Sequence, residues 1–259
     1  MLDFEEIKKQ YPPQMQVYER AILREYLQCK IIQALFESNH AHLLSFLGGT
    51  ALRIMHDNNR FSEDIDLDNF GLGWEDFEKL IKVVQTFLEF EGFTSEIRSV
   101  DSGAFHCYIK FPGMLFQNKL SPYKEEKILI QIDTFAQGFD YKPDLIVLNK
   151  FDVFSEIRVT PLSILLSQKI FTSINRKRPK GRDFYDITML LRKTKPDYGF
   201  LSLKMEIEDP QILKSMYREK IQAYDFNKLA EDVRPFLMRS QDEIRVLKFK
   251  EFWETAQLD

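Results

Sequence analysis

Between Met15 and Ser38, Tyr18, Ile22, Tyr26, Leu27 and Ile31 recur at helical spacing, which predicts a long amphipathic helix. The run HLLSFLGG (42–49) is short, apolar and closed by two glycines, as expected of a buried strand feeding a tight turn. TALRIMHD then reads as a short helix with Thr50 as its N-cap. In DIDLDNF, charged and apolar side chains alternate. A strand there turns Ile65 and Leu67 to the core and Asp64, Asp66 and Asp68 the other way. Phe77, Leu80, Ile81, Val84 and Leu88 predict a helix over Trp74 to Glu91. After Gly92, FTSEIRSV, AFHCYIKF and KILIQIDTF read as strands, and residues 145–159 add one or two short ones. From Pro161 the pattern is helical. The expected fold is α+β: an N-terminal helix and a small mixed sheet flanked by helices over residues 1–160, then a helical region over 161–259.

Composition narrows the picture. With 44% hydrophobic residues and only ten glycines and ten prolines, the chain has the material for a packed core and few linkers. A net charge of −4 gives no global attraction to nucleic acid, so phosphate binding needs a local cluster. One exists: from Lys169 to Arg182 the bases Lys169, Arg176, Lys177, Arg178, Lys180 and Arg182 occur without an acid, either a solvated loop or a phosphate-binding patch. Cys29 and Cys107 lie far apart in apolar settings, as buried thiols of a reducing compartment do. The N-terminus lacks a secretory pattern, and no stretch approaches the roughly 18 apolar residues of a membrane span. A cytoplasmic location without a membrane partner is expected.

Residues 62–78, SEDIDLDNFGLGWEDFE, hold seven acids and no base, so the segment is either a solvated surface or a cation site. On a strand, Asp64 and Asp66 project to one side, and a bound divalent ion offsets their repulsion. A calcium loop is the rival reading. Asp64, Asp66, Asp68 and Glu75 match its positions 1, 3, 5 and 12, but Asn69 and Gly71 depart from its pattern. In ILIQIDTF, Ile128, Ile130 and Ile132 share one face while Gln131 and Asp133 share the other. Three carboxylates on neighbouring strands would suit two magnesium ions holding a triphosphate. Asp68 is expected to be surface. Gly48 and Gly49 serve either a strand–helix turn or the close approach of backbone amides to phosphate. Asp183 and Asp186 fall three apart at the start of a helix, where the macrodipole alone favours acids. The histidines show no ligand spacing.

GGTALR, RFSEDIDL and QKIFTSINRKRPKGRDFYDI, in that order, resemble the AbiEii/AbiGii-type nucleotidyltransferase toxins of the DNA polymerase β-like superfamily, over residues 40–195. The resemblance implies a nucleotidyltransferase-type sheet and transfer of a nucleoside monophosphate from a nucleoside triphosphate. It places Mg²⁺ or Mn²⁺ on Asp64 and Asp66, with Asp133 as third ligand or as base for the acceptor hydroxyl. Gly48, Gly49, Thr50, Ser62, Lys169 and Arg182 would attend the phosphates. Asp183 would orient Lys169 or the nucleotide, and Arg176, Lys177, Arg178 and Lys180 would meet an RNA backbone. It further implies the toxin of a type IV toxin–antitoxin or abortive-infection pair, with a cognate antitoxin and the 3′ end of tRNA as leading acceptor. A small-molecule acceptor such as an aminoglycoside, and a catalytically silent nucleotide- or RNA-binding module, are the alternatives.

Overall fold

Seven strands form one mixed sheet in the computed structural model, which describes residues 1–259. In chain order they are β1 (Leu44–Leu47), β2 (Ile65–Asn69), β3 (Glu96–Asp101), β4 (Phe105–Pro112), β5 (Lys127–Phe135), β6 (Asp144–Lys150) and β7 (Val153–Val159). Their spatial order is β3-β4-β5-β2-β1-β7-β6. β2 runs parallel to β5 and antiparallel to β1, so the segment richest in aspartate is a central strand. That excludes the calcium loop, because a strand paired on both sides does not fold into a ligand-wrapping turn.

The chain divides into two compact units. The first comprises Met1–Asp57, Phe61–Gly138 and Pro143–Val159; the second comprises Asn58–Arg60, Phe139–Lys142 and Thr160–Asp259. In the first, α1 (Phe4–Lys9), α2 (Glu19–Phe36), α3 (Gly48–His56), α4 (Trp74–Phe90) and the single turn α5 (Met114–Gln117) accompany the sheet. Phe46, Ile65, Leu67, Cys107, Ile109, Phe111, Ile128, Ile130, Ile132, Ile157 and Val159 are all buried on or within the sheet. The apolar stripe Phe77, Leu80, Ile81, Val84 and Leu88 of α4 is buried with them. The alternate positions of β3, β4 and β5 are exposed or half-buried, so this part of the sheet is covered on one face. α2 is buried nearly all round, and its Glu25 is offset by Arg53 at 2.8 Å and by the ammonium of Lys150. Burial would lift the Glu25 carboxyl, but those two cations hold it below the ordinary value.

The second unit contains α6 (Leu162–Asn175), α7 (Gly181–Leu190), α8 (Tyr198–Met205), α9 (Pro210–Ile221), α10 (Phe226–Val233), α11 (Ile244–Leu247) and α12 (Phe249–Thr255). Asp197, Asp209 and Asp225 cap α8, α9 and α10, each accepting backbone N–H groups of its helix's first turn. Aromatic rings fill the centre: Phe184 meets Phe249 at 4.9 Å and Tyr217 meets Trp253 at 4.2 Å between centroids. No helix is long and apolar enough to cross a membrane.

Candidate active site

β2 delivers its acids through pairing that the sequence pattern makes legible. Asp66 lies opposite Asp133 on the parallel strand β5 and opposite Leu47 on β1. Residues paired across neighbouring strands sit about 4.8 Å apart with side chains on one face. Asp64 immediately precedes β2, two residues from Asp66. The segment leading into the strand is anchored to α2: Gln28 Nε2 donates to the carbonyls of Ser62 (3.2 Å) and Glu63 (2.8 Å), and Arg24 pairs with the Glu63 carboxylate at 3.1 Å. Ser62 and Glu63 are thereby held through their backbone carbonyls.

α3 starts at Gly48, with Leu47 as its cap residue, so Thr50 lies inside the first turn and is not the N-cap expected from the sequence. Its buried hydroxyl donates to the Asp64 carbonyl, and that side chain pins the aspartate segment instead of facing a ligand. Gly48 has φ +79°, and a Cβ built there would run into the Asp66 carboxylate. The glycine thus serves both the left-handed turn and the close approach of the helix start to Asp66. Gly48→Ala is expected to cost about 1–2 kcal/mol of stability from backbone strain and to displace Asp66. Transfer should fall at least tenfold, beyond what the loss of folded protein explains; thermal melts run beside activity assays check this.

Asp133 is held by two neighbours the sequence reading did not assign. His106 Nδ1 lies 2.6 Å and Gln131 Nε2 2.7 Å from its Oδ1. His106 stands opposite Asp133 in the β4–β5 ladder, so strand register, had it been readable, would have found it. Asp68 corrects the sequence reading in the other direction. It is 1% exposed and its Oδ1 accepts the Gln137 N–H at 2.9 Å, so it is a buried structural acid and not a surface one.

No group of three or more His, Cys, Asp or Glu side chains is disposed to hold a metal ion by itself. Magnesium does not require such a cage, since it takes one or two carboxylates and completes its octahedron with water and substrate phosphate oxygens. Hard carboxylate oxygens on adjacent strands, beside a helix start that a glycine opens, fit that demand. The thiols do not: Cys29 and Cys107 are buried, and burial pushes both up to about 12.

The second unit gathers the other expected residues around an ion-pair centre. Lys169 Nζ lies 3.0 Å from Asp183 Oδ1 and 3.0 Å from Asp186 Oδ2. Arg60 reaches Asp186 through Nε (2.7 Å) and Nη2 (2.6 Å), and Asn58 Nδ2 donates to it at 2.8 Å. Both aspartates are fully buried, and the cap of α7 is Lys180, so helix capping does not account for them. Burial alone would raise the Asp186 carboxyl, but the Arg60 and Lys169 cations outweigh it and hold it at about 2. For Lys169 burial works against the charged form, and Asp186 and Asp183 reverse that and raise it. The side chain is 13% exposed, and its ammonium is committed to these carboxylates. Asp183 is an ion-pair partner of Lys169; Arg60 and Asn58, which complete the centre, are revealed only by contact across the fold. In the basic run, Arg176 reaches Asp183 at 3.5 Å, Lys180 reaches Asp232 at 3.7 Å and Arg182 lies over the Phe236 ring. Lys177 and Arg178 are exposed.

The mixed sheet, with acids on neighbouring central strands beside a glycine turn, has a nucleotidyltransferase-type fold. The chain matches, over residues 30–250, the family described as nucleotidyl transferase AbiEii toxin, type IV toxin–antitoxin system. It belongs to that family and is an enzyme of the nucleotidyltransferase class. Two solved structures from Helicobacter pylori share the fold at 16% identity. JHP933 has a TM-score of 0.57, with 91% of each chain covered. A candidate nucleotidyltransferase has a TM-score of 0.54, with 91% of this chain and 95% of that chain covered. No curated protein matches this chain in sequence.

Proposed function

We propose that this enzyme is a magnesium-dependent toxin that transfers a nucleoside monophosphate from a nucleoside triphosphate to the 3′ end of a tRNA. The observation that carries the reading is the register of Asp66 against Asp133, beside the turn at Gly48. Asp64 and Asp66 would hold Mg²⁺, and Asp133 would act as third ligand or as base for the acceptor hydroxyl. When bound, the ion offsets the charge of the triphosphate and activates that hydroxyl. The amides at Gly48 and Gly49 and the Ser62 segment would receive phosphate oxygens, in a site whose work is positioning and charge neutralisation. In the second unit, Lys177 and Arg178 are the cations available to an RNA backbone, while Lys169 and Asp183 act by holding their own unit's basic segment in place. The antitoxin would be a separate cognate protein.

Incubating the purified chain with α-labelled nucleoside triphosphates, Mg²⁺ and total tRNA tests this. Label at the tRNA 3′ end is the expected result. Label on a small molecule with none on RNA would overturn the acceptor assignment, and triphosphate binding without any turnover would overturn the reaction.

A further inference from the structure

Strand register extends the row that contains Asp66 and Asp133 into a strip running across the uncovered sheet face. On that face Asp133 of β5 is opposite His106 of β4, which is opposite Val100 of β3. The next row is Gln131, Tyr108 and Arg98, and the next Leu129, Lys110 and Glu96. Successive rows lie about 7 Å apart along the strands. The two outer rows border a cavity of 430 Å³ lined by Glu96, Ile97, Arg98, Tyr108, Lys110 and Leu129.

The chemistry of this cavity is uneven in sign. The Glu96 carboxylate is taken up by Lys127 at 2.7 Å. Arg98 and Lys110 are exposed and make no ion pair, and they flank the half-buried ring of Tyr108. Two uncompensated cations around an aromatic face, on a chain of net charge −4, form a local site for a phosphodiester with a base stacked on the ring. β4 and β5 are paired on both sides, so recognition on this face falls to side chains, as it does where single strands lie across an open sheet.

We infer that the β3–β4–β5 face is the acceptor track. A single-stranded RNA 3′ end lies across it, its terminal hydroxyl toward Asp133 and the nucleotides before it on Tyr108 between Arg98 and Lys110. The inference rests on the reading that the acceptor is RNA, and adds to it the surface that receives the strand. Tyr108, Arg98 and Lys110 bind the acceptor and take no part in the chemistry.

Steady-state transfer by the full chain, with tRNA and nucleoside triphosphate varied separately, tests this. Arg98→Glu combined with Lys110→Glu should raise KM for tRNA at least about tenfold and flatten its salt dependence, leaving KM for the triphosphate unchanged. Tyr108→Ala should raise KM for tRNA roughly fivefold or more, and Tyr108→Phe, which keeps the ring, should restore it. Lys82→Glu, exposed on α4, should change neither constant. The paired change to Gln at 98 and 110 carries the same prediction at smaller size if charge reversal disturbs folding. A KM for tRNA within twofold of wild type in the charge variants, or equal rises for both substrates, overturns the track and leaves the RNA acceptor standing. Wild-type enzyme that labels no RNA overturns both.

Discussion

Asp66→Ala is expected to reduce nucleotidyl transfer at least about a thousandfold, the scale on which removing a preorganised charge-stabilising group acts, while the protein melts within a few degrees of wild type. Asp66 links β5 to the turn at Gly48. It pairs in register with Asp133, and it fills the space that the missing side chain of Gly48 leaves. Its loss would remove the proposed metal ligand and the group against which the helix start is set. The stability expectation follows from the same geometry. Like charges opposite one another on adjacent strands destabilise a sheet, so the neutral residue relieves a repulsion that the proposed metal site would need. Initial rates with saturating substrates, paired with a thermal melt, check both halves. A large loss of stability would mean that the carboxylate is structural, as Asp68 is.

The second large effect belongs to the ion-pair centre. Asp186→Ala takes from buried Arg60 its ion-pair partner and leaves Lys169 with Asp183. Removing one partner of such a set costs about 3–5 kcal/mol, because the remaining charge keeps its desolvation penalty. Denaturant unfolding followed through Trp253, which is fully buried in this unit, reads it once Trp74 is replaced by Phe. The pH dependence has a definite sign. Asp186 is held at about 2 in the folded protein, against an unfolded value of about 3.9. Its contribution to stability is therefore present above about 4 and lost as pH falls through about 2. Asp186→Asn should remove that part of the acid limb, and an unchanged limb would assign acid unfolding to other carboxylates.

These residues also mark how far the sequence could be read. The strands and α4 were legible because alternation and 3.6-residue periodicity are local signals, and KILIQIDTF coincides with β5. Asp66 and Asp133 could be paired in thought because each stands on the polar side of an alternating strand. Asp68 has that same alternation and was read as exposed. Its burial comes from the chain just past β5, whose Gln137 amide binds it from 69 residues away. Likewise Arg60 and Asn58 meet Asp186 across more than 120 residues, a contact without a local pattern. His106 fell between the two cases. Its strand was recognised, but its partner depends on the β4–β5 register, which the intervening loop and its short helix α5 set. The sequence marks Thr50 as a cap because Ser and Thr are favoured at that position. The cap is Leu47, three residues earlier, and Gly48 follows it at φ +79°, where a side chain would also meet Asp66.

Whether the carboxylates of Asp64 and Asp66 join the metal ion and the triphosphate to this enzyme is tested by one titration, without knowledge of the acceptor. Nucleoside triphosphate binding is measured calorimetrically in metal-free buffer and again with millimolar Mg²⁺, for the wild type and for the Asp64→Ala, Asp66→Ala double variant. Affinity should tighten at least about tenfold with Mg²⁺ in the wild type, about 1.4 kcal/mol of coupling, and should not respond to it in the variant. Equal affinities with and without Mg²⁺ in the wild type, or the same metal response in both proteins, would contradict the account.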